Sequence, residues 1–135
     1  MRALLDVSDK LTVTQTTYAA TPVYTLKAPN DEFILLATIN IGADSTFLNS
    51  GKISAKINGN FITSQGAVSR ETGLIQNLSL EFKERDFIFV EPQSSLDIDL
   101  RMTTGTGTVQ IAVTGTIVTR SEFEVLRAKY LGLVA

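Results

Sequence analysis

Along most of this chain apolar and polar residues alternate, and the alternation stops at clusters of Gly, Asn, Asp, Ser and Pro. A period of two puts successive side chains on opposite faces of an extended segment, so each run predicts a strand with one buried face. The clearest stretch is Ser95 to Thr119, with Leu96, Ile98, Leu100 and Met102, then Thr103 to Thr108 with two glycines, then Val109, Ile111, Val113 and Ile117. Two alternating runs about a Gly-rich turn predict an antiparallel hairpin.

The rest of the chain reads the same way. Leu11 to Tyr18 is rich in β-branched residues and predicts a half-exposed strand, broken by Pro22 before a short strand over Val23 to Lys27. Phe33 to Ile41 starts apolar at consecutive positions, which predicts a central strand covered on both faces at its start. Phe47 and Leu48 stand as isolated apolar residues between turns. Ile53, Ala55 and Ile57 alternate with Lys52, Ser54 and Lys56, and Asn58-Gly59 then predicts a tight hairpin into Asn60 to Thr63, because its turn needs positive φ at both central residues.

Ser64 to Gly73 has no period and reads as a long loop. Leu74, Leu78, Leu80 and Phe82 predict a long strand, and Phe87 to Val90 a short one ended by Glu91-Pro92. The opening Met1 to Lys10 reads either as a turn of helix or as an extended arm. In all, about eight to ten strands fall at roughly 8 to 12 residue spacing, the pattern of a sandwich or barrel and not of βαβ units. The predicted fold is one all-β domain over residues 1–135, an antiparallel β-sandwich of jelly-roll-like build.

The period changes only at the end. Ser121 and Glu124 match a capping box, which predicts a short C-terminal helix over Ser121 to Leu131 before Gly132. Phe123, Leu126 and Tyr130 share one face of it, with Leu131 beside them. That face either packs over the open end of the sandwich or docks on a neighbouring subunit.

Composition narrows the chemistry. The chain has no Cys and no His, which removes disulfides, thiolate zinc sites, cysteine nucleophiles and the commonest general base and metal ligand. A net charge of -2 supplies no positive field for nucleic acid or an anionic membrane. Asp6 and Asp9 interrupt the opening apolar residues too early for a signal peptide, and no run approaches the roughly 20 apolar residues that span a bilayer.

Asp97 and Asp99 lie about 7 Å apart on one strand face, with Arg101 next along it. Such a pair suits a cation or an acid/base couple, but it is also what the solvent face of a half-buried strand contains, and that reading is preferred. Gly105-Thr106-Gly107 lacks phosphate-loop spacing and reads as a turn. Tyr18, Tyr24 and Phe61 are the aromatics placed for exposure, with packing the preferred role. No catalytic, cofactor-binding or metal-ligating residue is assigned.

The segment from Phe87 to Arg101, a short strand, a Pro/Ser turn and an alternating strand, followed by Val109 to Thr119, resembles the closing strands of small jelly-roll proteins that are accessory parts of tailed-phage virions. Capsid decoration (cement) proteins and head fibres belong to that group. The resemblance implies a non-enzymatic protein of the virion, assembled in the host cytoplasm, that binds the major capsid protein or another virion component as a symmetric oligomer, often a trimer. Leu4 and Leu5 of the arm and Phe123, Leu126, Tyr130 and Leu131 of the helix are then the candidate interface residues. The alternative is a carbohydrate-binding or receptor-recognition module using Ser64 to Gly73 and Thr103 to Thr108.

Overall fold

The computed structural model describes residues 1–61, 72–73, 78–81 and 87–132. Sheet A contains β1 (Arg2–Val7), β2 (Leu11–Val13), β4 (Glu32–Ala43), β8 (Leu78–Glu81), β9 (Phe89–Val90) and β11 (Gly107–Thr119). Sheet B contains β3 (Tyr24–Lys27), β5 (Gly51–Ile57), β6 (Asn60–Phe61), β7 (Thr72–Gly73) and β10 (Ser95–Met102). All pairings are antiparallel.

Several of these segments continue one another. β1 and β2 both lie along β11, β8 and β9 along β4, and β6 and β7 along the same edge of β5. Among the described residues, eleven segments therefore occupy eight strand positions, ordered first-eighth-third-sixth in sheet A and second-seventh-fourth-fifth in sheet B. That nesting, in which the first strand pairs the last and the second the one before it, is the jelly roll.

The inward residues of the two sheets meet in one core. Ile39, Ile41, Ile111 and Val113 come from sheet A, and Ile53, Leu96, Ile98 and Leu100 from sheet B, all essentially sealed from solvent. In β10 the alternation is complete, with Leu96, Ile98, Leu100 and Met102 buried and Ser95, Asp97, Asp99 and Arg101 half-buried.

The predicted hairpin over Ser95 to Thr119 does not form. β10 pairs β3 and β5 while β11 pairs β1, β2 and β4, so the Thr103 to Thr106 turn carries the chain from one sheet across to the other. Two strands with one buried face each satisfy the same alternation whether they lie side by side or face to face. The central strand is as expected: in β4, Ile34 points into the main core and Phe33 into a second cluster on the opposite face. The Asn58-Gly59 turn has positive φ at both residues, 52° and 83°, and joins β5 to β6.

Other local readings shift. The N-terminal segment is neither helix nor free arm but the edge strand β1. The strand expected over Leu11 to Tyr18 stops at Val13, and that over Phe87 to Val90 shrinks to Phe89–Val90, with Phe87 at φ 48°. Of the Ser64 to Gly73 loop, 64–71 lies outside the described residues and Thr72–Gly73 pairs with β5. Of the long strand expected from Leu74, Leu78–Glu81 is described and is a strand.

Phe47, expected as an isolated apolar residue between turns, lies in a six-residue helix, α1 (Ser45–Ser50), capped by Asp44, whose Oδ1 accepts the Phe47 N–H at 2.9 Å. The C-terminal helix, α2, spans Arg120–Tyr130 and is capped two residues earlier than expected. Thr119 Oγ1 accepts from the Glu122 N–H at 3.2 Å, and Glu122 Oε1 from the Thr119 N–H at 3.0 Å. The pair Thr119 and Glu122 has the same spacing as Ser121 and Glu124, and the β-branched Thr119 can end the long strand β11 and cap the helix at once.

Candidate functional site

Two surfaces gather the side chains that the sequence singled out. The first is the outer face of sheet B. Asp97 and Asp99 on β10 stand opposite Lys56 and Ser54 on β5, and opposite residues in a ladder project on the same side. The segment after β2 folds over them, so Tyr18, Ala19, Ala20 and Pro22 roof a cavity of about 350 Å³ that these four residues floor. Ala19 to Pro22 read in the sequence only as a strand break. Because β2 already ends at Val13, the segment that follows is free to cross the sheet.

The two carboxylates sit differently in that cavity. Asp97 accepts the hydroxyls of Thr25 (3.1 Å) and Ser95 (3.0 Å). Burial pushes the Asp99 carboxyl above the usual carboxylate range, against the pull of the backbone N–H groups of Leu100 and Ala19 that bond it. Arg101 lies outside the cavity lining, with its guanidinium 5.7 Å from the centre of the Tyr18 ring. The preferred solvent-face reading of Asp97, Asp99 and Arg101 therefore changes to a half-buried, partly roofed one. No group of three metal-ligating side chains occurs among the described residues.

The second surface lies on sheet A, where α2 packs. Its ring of Phe123 stacks on Phe33 of β4, centroids 3.8 Å apart and planes 4° off parallel, and meets Phe87 and Phe89 at 5.3 and 4.8 Å. This cluster, with Val118 buried and Leu35 and Leu126 partly so, is separate from the main core. The helix therefore covers neither the open end of the sandwich nor, through Phe123, a neighbour: it seals the outer face of its own sheet. One ion pair ties its start to Met1, just before β1, and a second joins β1 to β4. The Met1 ammonium meets Glu122 at 2.9 Å, and Arg2 meets Glu32 through two bonds of 2.7 and 3.0 Å. These contacts lower both glutamates: Glu32 chiefly through its bond to Arg2, and Glu122 chiefly through the Thr119 N–H and the Met1 ammonium.

The six candidate interface residues divide accordingly. Leu4 packs on the main core, Phe123 is buried in the aromatic cluster and Leu126 is half-buried against it. Leu5, Tyr130 and Leu131 remain exposed, Tyr130 while stacking on Phe87 at 5.0 Å. Sequence reasoning missed Met1, Val7 and Val125, which are exposed as well. For Val7 the signal was present, since it shares strand parity with Leu5. Tyr24 takes the packing role preferred for it: it is buried, with its hydroxyl donating to Asp6 Oδ2 at 2.6 Å. Only the backbone of Phe61 is described.

Among the described residues no helix is long and apolar enough to cross a membrane. No family model matches the chain, and no curated protein matches it.

Proposed function

We propose that this chain is a non-enzymatic structural protein of a virus particle, of the kind that binds the outside of a capsid shell or another virion component as a symmetric oligomer. One observation carries the reading. The large apolar side chains that stay exposed among the described residues, Met1, Leu5, Val7, Val125, Tyr130 and Leu131, come from β1 and α2 and their ends, both attached to sheet A. Apolar exposure confined to two neighbouring parts of the fold is the mark of an interaction surface. A rigid double sheet with little charge suits a role in which modest contacts are repeated by symmetry and avidity holds the protein in place.

The test is co-sedimentation of the purified protein with shells of the virus whose genome carries the gene, using Val125→Lys as the control. Binding that the lysine abolishes supports the proposal. A gene lying among metabolic genes, with a chain that ignores capsid shells, sinks it.

A second reading is carbohydrate or receptor recognition, favoured by the roofed cavity. Carboxylates accept from sugar hydroxyls, and Tyr18 and Pro22 add apolar surface. Binding on a glycan array that Asp97→Asn removes would establish it.

A further inference from the structure

Among the described residues, β1 is hydrogen-bonded on one side only. Its register on β11 is unbroken, from Arg2 opposite Ile117 to Val7 opposite Ala112, and just past it the Ser8 N–H donates to the Ile111 carbonyl at 2.8 Å. Alternation in an antiparallel ladder then directs the backbone groups of Arg2, Leu4 and Asp6 toward β11, and those of Ala3, Leu5 and Val7 toward the open side. Among the described residues no strand lies on that side.

The edge also lacks most of the usual guards. It holds no proline, no bulge and no lysine; Arg2 at its end is tied to Glu32, and Asp6 is bonded by the Tyr24 hydroxyl. Leu5 and Val7 are 69% and 52% exposed beside these unpaired groups.

We propose that β1 pairs with β1 of a second copy of this chain, antiparallel and about a two-fold axis at Leu5, so that two A sheets join into one. In this register Leu5 faces the second copy's Leu5, and Ala3 faces its Val7, so every open N–H and C=O of the three residues finds a partner. On the core side Arg2 falls opposite Ser8 and Leu4 opposite Asp6, and no like charges meet. A shift of two residues either way takes one of Ala3 and Val7 out of register with this trio. The contact is isologous, so it makes a dimer and not the trimer that the resemblance implied. It deepens the assembly reading and rests on it for its use.

The experiment is light scattering on the full chain and on Leu5→Pro. Proline at that position removes an N–H that faces the open side and leaves the ladder to β11 intact. The expected result is a dimer for the parent chain and a monomer with an unchanged circular dichroism spectrum for the variant. Because the chain has no cysteine, single-cysteine variants read the register even if the proline variant misfolds. Paired Cα atoms about 5.5 Å apart lie within disulfide reach, so Leu5→Cys should cross-link to itself. Ala3→Cys and Val7→Cys should cross-link only when mixed.

A monomeric parent chain at its highest soluble concentration, a dimer that Leu5→Pro leaves intact with a native spectrum, or self-cross-linking at Ala3→Cys or Val7→Cys in place of Leu5→Cys overturns the proposal. A monomer that still sediments with capsid shells would remove this contact and keep the assembly reading. A dimer that ignores the shells would do the reverse.

Discussion

The ring of Phe47 is fully enclosed, and two glycines make room for it. A Cβ at Gly51 would stand 2.5 Å from the Phe47 carbonyl oxygen, and one at Gly107 would stand 2.7 Å from the Phe47 Cβ and 3.0 Å from the Met102 sulfur. Gly107→Ala is therefore expected to cost about 1–3 kcal/mol by overpacking, a loss read from urea unfolding. Tyr24 makes a different demand. Burial first, and then its bond to Asp6, push its phenol well above the ordinary value of 10.0. The folded state thus holds this proton more tightly than the unfolded chain, so the contribution is intact below the ordinary tyrosine value and is lost as pH rises from there toward the folded one. Urea melts at increasing alkaline pH should show stability falling in that window. Tyr24→Phe should weaken the fall while lowering neutral-pH stability by about 1 kcal/mol, since Asp6 loses a donor.

Each element shows how far a pattern of residues can be read. Burial on one face was legible in β10 and β11 because alternation reports it directly, but their pairing was not, because the period is the same for neighbours in one sheet and for strands facing across the core. The Asn58-Gly59 hairpin was fully legible, since its turn residues fix a backbone conformation that few others adopt. α1 was missed because six residues give less than two turns of helical period, and only the Asp44 cap with Phe47 three residues on hinted at it. The roofed cavity was illegible for a related reason: Asp97 and Asp99 lie more than forty residues from Lys56 and more than seventy from Tyr18, and only folding brings them together. α2 was legible in its apolar face but not in its target, which proves to be Phe33 on its own sheet. Phe123→Ala should therefore cost about 3 kcal/mol. Hydrogen exchange should quicken in the α2 amides while those of β10 and β5, in the other sheet, keep their protection.

At the scale of the whole molecule, the nested pairing leaves β1, the first strand, at one edge of sheet A beside β11, the last. Arg2 meets Ile117 only after the entire chain between them has been placed, so the element with the open edge is among those with the greatest loop-closure cost. Whatever binds there meets a surface of backbone groups, leucine and valine, with the nearby charges of Arg2 and Glu32 already paired to each other. The molecule as a whole carries a net charge of only -2, so two copies approach without strong repulsion and without steering. Raising salt from 0.1 M to 1 M shortens the screening length from about 10 Å to about 3 Å and so suppresses any contact held by surface charge. An edge held by hydrogen bonds and apolar burial is instead expected to keep its dissociation constant within about threefold over that range, while a contact built on Arg2 and Glu32 would weaken much further. Light scattering across a salt series, with Arg2→Gln as the comparison, separates the two.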